Sequence, residues 1–275
     1  MLGDWAWRST VVAGLAVLAC NLYAVDGLVL INQASALAGN VTPGDTPGFP
    51  VTISTPGSYR LTGNLVITDL SANVIEITSD NVTIDLNGFS LIGPVVCTGS
   101  PVSSCPFMGS GTGIFSSKSN LTVLNGTIRG MNDGITFVGG DNHIEKVHAI
   151  SNTSTGIGSG NGQGLVTSCN ASFNGVFGIF GNGKAEGNVV EGNGLDGIVF
   201  AGNMTNNVAA NNKGNGISGQ GVISGNSATT NAQAGINAVC PSFVSGNYAF
   251  QNKGGNIFTT LSGCIPANNA NNAAP

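Results

Sequence analysis

Apolar residues recur along this chain as isolated positions, each flanked by polar or small ones, and they hold register over long distances. A Gly-Ile pair appears at 113–114, 134–135, 156–157, 178–179, 197–198, 216–217 and 235–236, and Asn256-Ile257 continues the series. The Ile-to-Ile spacings are 21, 22, 22, 19, 19, 19 and 21 residues. Five positions before each later Ile stands an Asn: Asn152, Asn174, Asn193, Asn212, Asn231 and Asn252. Three before that Asn is a small apolar residue (Ala149, Ala171, Val190, Ala209, Ala228, Ala249), and eight before it a further apolar one (Ile144, Val166, Ala185, Met204, Ile223, Val244). Four columns kept in register over six repeats define an internal repeat.

A unit of about 20 residues, rich in Gly and Asn, is too short for a pair of helices. Isolated apolar positions between polar ones are the mark of short strands with alternating faces. Gly and Asn at fixed offsets supply tight-turn backbone. One repeat therefore fits one coil of a parallel β-solenoid, three short strands joined by three turns. Successive coils stack at the interstrand spacing of ~4.8 Å, so about nine coils form a rod ~43 Å long. Their apolar columns build one continuous core. The Asn column is expected to form a ladder, each side-chain amide bonding to the coils above and below.

The ends of the chain read differently. Residues 1–24 form a signal-peptide pattern, with Arg8 ahead of an apolar stretch at 11–19 that is too short to cross ~30 Å of hydrocarbon. Cleavage after Ala24 fits, with Leu22 larger than usual at its position; the alternative is a lipid-modified Cys20 within V17-L-A-C20. Export, free or surface-attached, is the expectation, with no transmembrane span in the mature chain. Residues 25–57 lack the repeat and are expected to cap the first coil, 58–265 to form the solenoid and 266–275 to be a disordered tail.

Composition narrows the partners. The chain has 275 residues, with charged residues only 8%, a mean hydropathy of +0.23 and a net charge of −5. Gly 43 and 34 Asn dominate without a three-residue period, which excludes collagen. The apolar content excludes a disordered chain. Without a basic stripe, electrostatic nucleic-acid binding is not expected. An exported chain can carry disulfides. Cys97 and Cys105 bracket a Ser/Pro-rich stretch and are expected to staple a loop between the first two coils. Cys240 and Cys264, 24 residues apart, are about one repeat apart and are expected to pair. Cys169 is left over as a buried thiol.

The segments NVTIDLNGFSLIG (81–93), NLTVLNGTIRG (120–130) and the N-x₄-G-I repeats that follow resemble the right-handed parallel β-helix proteins. That is the pectin-lyase-like superfamily and, within it, an exported bacterial group. The resemblance covers about 58–265 and implies a single-stranded right-handed parallel β-helix. It implies no single activity, because the superfamily holds polysaccharide lyases, glycoside hydrolases, epimerases and adhesins. Its lyases use a basic residue with carboxylates, often through Ca²⁺; its hydrolases use clustered Asp, and no three-Asp set stands out here.

The chemistry-bearing residues concentrate in D141-N-H-I-E-K-V-H148. Ile144 occupies an inward column, so His143 and Glu145 project outward together, a pairing suited to acid/base work. Arg129 is expected on the coil below, and Lys184 and Glu186 in the His143 and Glu145 columns two coils above. Arg129, His143, Glu145, Lys146 and Lys184 are therefore the candidate glycan-binding face, with His143, Glu145 and Lys146 the candidate catalytic groups. The bland alternative is a solvated cluster that keeps a nearly neutral rod soluble. Asp133 and Asp196 share a column before Gly-Ile and read as turn residues. No cofactor is expected, and Ca²⁺ enters only with the lyase reading. Glycan binding ranks first, a lyase or hydrolase second and a structural or adhesive solenoid third.

Overall fold

The computed structural model describes residues 27–106, 109–260, 264–267 and 270–271. The expected signal segment, Ala24 and Cys20 lie outside these residues. The described chain is a parallel β-helix. Its sheet pairings join strands of successive coils in parallel register, 19–22 residues apart where no loop intervenes and up to 39 across the loop after Ile92. The repeat columns coincide with that register. Val51, Ile75, Ile114, Ile135, Ile157, Ile179, Ile198, Ile217, Ile236 and Ile257 stack as one inward column, giving ten coils where about nine were expected.

Each coil has three faces. Face 1 carries the Gly-Ile strands, for example Asp133–Phe137. In coil 4 the single strand His143–Ile150 turns a corner at Lys146, whose φ is 52°, and supplies faces 2 and 3. Its first part pairs with Leu165–Thr167 and its last with Asn170–Ser172. Face 2 contributes Ile144, Val166, Ala185, Met204 and Ile223 to the core, and face 3 Ala149, Ala171, Val190, Ala209 and Ala228, all fully buried. On face 1 the second inward column alternates in size: Ser159 and Gly181 leave room for the ring of Phe200, and Gly219 follows it. A Cβ on Gly181 would stand 1.9 Å from Ser159 Oγ, so this packing needs the missing side chain.

The Asn column is a buried ladder. Asn174 Nδ2 donates to Ala149 O on the preceding coil (3.0 Å) and to Asn193 Oδ1 on the next (3.1 Å). Asn193 Oδ1 also accepts the Asn174 backbone N–H at 2.9 Å. The pattern repeats through Asn212, Asn231 and Asn252. A second ladder stands at the corner between faces 2 and 3, where Asn188, Asn207, Asn226 and Asn247 are all buried and bonded the same way. Cys169 continues that column by one coil. Its N–H donates to Asn188 Oδ1 (2.9 Å) and its thiol to Ile144 O (3.5 Å), the role the Asn amides play above it.

Both ends depart from the expected boundaries. Leu28–Ile31 pairs with Gly57–Leu61, and Val51–Ile53 with Ile75–Ile77, so the parallel ladder begins inside 25–57. The helix Gln33–Ala38 interrupts that first turn and hides its period; its Ala36 is buried in the core cluster. Ile265–Ala267 and Ala270–Asn271 pair with coil 9, so parts of 266–275 extend the ladder. Ladder hydrogen bonds come from the backbone, which is why a segment without large apolar residues can still join.

Cys97–Cys105 and Cys240–Cys264 are disulfides, with Cα separations of 4.3 and 5.0 Å. The first staples a loop between coils 2 and 3, one coil later than expected. This loop leans over the Asn-ladder corner of later coils: Val102 N–H donates to Gly192 O (2.8 Å), and Ser100 Oγ accepts from Asn211 Nδ2 (3.2 Å). Val102 is buried by the contact.

Two outcomes test this framework. Asn193→Ala should lower stability by about 1–3 kcal/mol for each buried partner it orphans, and more than Asn252→Ala near the last coil. Equal, negligible losses in urea denaturation at both sites would show that the amides do not hold the coils. Burial pushes the Cys169 thiol up to about 12. Little thiolate then exists at pH 8, so native protein should resist alkylation at Cys169 and the unfolded chain should react, as read by peptide mass mapping.

Candidate functional site

The structure divides the sequence candidates between faces. His143 and Lys184 share one outward column of face 2, through Leu165, and Glu145 and Glu186 share the next, through Thr167. The same column runs back through Leu124 to Asp85 and Arg60. Arg129 does not belong to it. It pairs with Ile150 on face 3, beyond the corner at Asn125, while the residue opposite His143 is Thr122. The expected face of five residues therefore loses Arg129: its strand Leu121–Arg129 turns the corner before reaching it.

On face 2 the charges are spent on one another. Lys146 Nζ lies 2.5 Å from Glu145 Oε1, Lys184 Nζ 2.6 Å from Glu186 Oε2 and Arg60 Nε 3.1 Å from Asp85 Oδ2. Three cations face three carboxylates, on alternate coils for the carboxylates, about 9.6 Å apart. Asp85 reads from the sequence as the strand-to-turn residue of DLNG; the column it shares with Arg60 and Glu145 was obscured because 39 residues, loop included, separate Ile75 from Ile114. Asp85 also accepts the Asn87 N–H at 2.8 Å, so its DLNG segment is a turn with a fixed carboxylate. His143 Nε2 is 3.7 Å from Glu145 Oε2, too far for a hydrogen bond, and is shielded without a partner. Glu145 thus engages Lys146 and does not orient the imidazole. The Lys146 hydrogen bond and charge hold the Glu145 carboxyl below its ordinary range.

Face 1 carries a cleft that sequence reasoning missed. Its outward column reads Phe115, Thr136, Gly158, Phe180, Val199. Gly158 has no side chain between Thr136 and Phe180, and the gap opens a cleft of about 250 Å³. Asp133, Ser154, Thr155 and Asn161 supply its polar wall. Phe180 is 47% exposed and stacks on Phe177, centroids 5.8 Å apart and planes at 21°. Asp133 Oδ1 accepts the Thr155 N–H at 2.8 Å and Oδ2 the Asn132 amide at 3.0 Å. The carboxylate is therefore fixed, as expected of a turn residue, and keeps acceptor capacity toward the cleft. The signal in the sequence was Gly158 within an outward column that holds Phe on either side, two coils apart or less.

A larger cleft of about 820 Å³ lies at the N-terminal end, lined by Leu28, Leu30, Val41 and Tyr59 among others. Among the described residues its lining has no charged side chain. Among the described residues no three His, Cys, Asp or Glu side chains gather where they could hold a metal ion. That donor set does not fit a Ca²⁺ bridge to a uronate. No described helix is long and apolar enough to cross a membrane.

No protein-family model and no curated protein matches the sequence. In structure the chain is similar to the mannuronan C-5 epimerase AlgE4 A-module of Azotobacter vinelandii, with a TM-score of 0.60 at 14% identity, over 82% of this chain and 67% of that one. It is also similar to the Dettilon tailspike protein, with a TM-score of 0.57 at 14% identity, over 80% of this chain but only 50% of the tailspike. At this identity the likeness is one of fold, the right-handed parallel β-helix that the resemblance implied.

The Glu145–Lys146 contact can be tested directly. Lys146→Met should return the Glu145 pKa upward toward the usual carboxylate range, because Lys146 is the main cause of its lowering. A carbon-13 carboxyl titration by NMR reads the shift; an unmoved Glu145 would show that the pair does not form in solution.

Proposed function

We propose that this chain binds a polysaccharide outside the cytoplasm, using the cleft of face 1. The observation that carries the reading is the pairing of an exposed aromatic ring with a fixed carboxylate and further polar side chains across a cleft of about 250 Å³. Phe180 offers a flat apolar platform for the C–H face of a pyranose, and Asp133, Ser154, Thr155 and Asn161 offer acceptors and donors for its hydroxyls. The coil spacing of ~4.8 Å is close to the advance per sugar of an extended pyranose chain, so neighbouring sugars would meet neighbouring coils. Two disulfides support an oxidising location. The mannuronan epimerase among the fold neighbours makes a glycan the natural first class to try.

Binding is favoured over catalysis because the acid/base candidates His143 and Glu145 project from face 2 and are not hydrogen-bonded to each other. A second reading keeps the ligand on face 2, favoured by the two-coil spacing of its carboxylates. One experiment separates the two. Affinity electrophoresis in gels containing soluble polysaccharides would compare Phe180→Ala and Gly158→Leu with the double variant His143→Ala, Lys146→Ala. The face 1 variants should weaken retention by about tenfold, the worth of one aromatic contact plus a filled cleft, and the face 2 variant should leave it unchanged. The reverse pattern moves the site to face 2.

A further inference from the structure

The glycan-acting fold neighbour is named for an anionic polymer, yet the charges around the face 1 cleft have the wrong sign for one. The outward column of this face carries Glu76, Phe115, Thr136, Gly158, Phe180, Val199, Ser218, Asn237 and Phe258, and its only charge is Glu76. The column just ahead of the Gly-Ile pairs adds Asp133 and Asp196. Three carboxylates and no Lys or Arg stand in these two columns. The cations with carboxylate partners, Arg60, Lys146 and Lys184, are on face 2. Lys118, Lys213 and Lys253 lie on turns outside the two columns.

We infer that the cleft takes a neutral, hydroxyl-rich glycan and discriminates against polyuronates, an inference that rests on the glycan-binding reading of this cleft. A carboxylate such as Asp133 serves a neutral sugar well. Two of its lone-pair directions are engaged by Thr155 N–H and Asn132 Nδ2, and the remainder can accept from vicinal hydroxyls in charge-assisted hydrogen bonds. The same carboxylate repels a uronate. Arg or Lys would be needed to hold that anion, and neither lines the cleft. The donor set around Asp133 does not fit a bridging divalent cation either, since no second carboxylate lines the cleft. The carboxylates of face 1 thus act as a filter on the sign of the polymer, while Phe180 and the hydroxyls supply contact that does not depend on charge.

The test uses the whole protein with two sets of probes: neutral polymers (mixed-linkage glucan, galactomannan, dextran) and polyuronates (alginate, polygalacturonate). Affinity electrophoresis at low and high salt should show retention by at least one neutral polymer, little changed by salt, and none by the polyuronates. Asp133→Asn keeps the acceptor for Thr155 and removes the charge. It should create or raise polyuronate retention several-fold, most at low salt, where repulsion is least screened. Retention by a polyuronate in the unmodified protein, abolished by Gly158→Leu, would overturn the charge filter while leaving the cleft as the glycan site. Polyuronate retention unaffected by Gly158→Leu and Phe180→Ala would remove both. Absence of retention by every polymer in both sets would overturn the glycan-binding reading itself, and the filter with it.

Discussion

Coil-to-coil register is the constraint on which the rest of this molecule depends. Each buried Asn amide donates to an acceptor on both neighbouring coils, and its oxygen accepts from the coil before it, so a coil that slipped by one residue would orphan groups on both sides. Asn174 shows the arrangement at its simplest, held between Ala149 O and Asn193 Oδ1. Buried polar groups left without partners cost far more than satisfied ones return, so the ladders act chiefly by penalising wrong registers. With register set, the apolar columns stack by default and each coil needs contacts only with its neighbours.

This economy explains the unusual composition. A coil of 19–22 residues has few inward positions, and most of the chain is turn or outward strand. Gly and Asn fill the corners because backbone with positive φ is required there, as at Lys146, Ser168, Asn206 and Gly225 in one corner column. Lys146 and Ser168 hold that conformation without the freedom of glycine, where Gly187 and Gly225 need no such compromise. Cys169 is the informative exception in the second ladder. A thiol replaces the amide and still donates to Ile144 O, but with the weaker bond of sulfur.

The same stacking that builds the core builds the surface. A residue repeated at one offset becomes a line along the rod, so small changes in one coil create features with neighbours on either side. Gly158 makes a cleft because Thr136 and Phe180 flank it in the same column. Face 2 uses this differently: its cations and carboxylates lie side by side, which leaves its sum of charge near zero and its contribution to stability small, as exposed pairs contribute little. The paired charges and the aromatic cleft therefore lie on different faces of this rod.

The repeat columns determined most of the fold. Ile144, Val166 and Met204 are where alternation placed them, the Asn152 to Asn252 series was readable as one column, and both cysteine pairs followed from loop length and period. A second Asn column, Asn188, Asn207, Asn226 and Asn247, was present in the sequence at spacings of 19, 19 and 21 and passed unnoticed because Cys169 and Val147 break it early. The sequence also showed that His143 and Glu145 share a side, since strand alternation is a local property. Only the tertiary structure decided where the strands bend. Corners at Asn125 and Lys146 put Arg129 on another face than His143 and Glu145, and the loop between coils 2 and 3 concealed that Arg60 and Asp85 stand in the same outward column as Glu145. The cleft likewise belongs to no single repeat. It arises from an absent side chain on coil 5 between present ones on coils 4 and 6, a relation that exists only once parallel stacking brings residues some twenty positions apart to within one interstrand spacing.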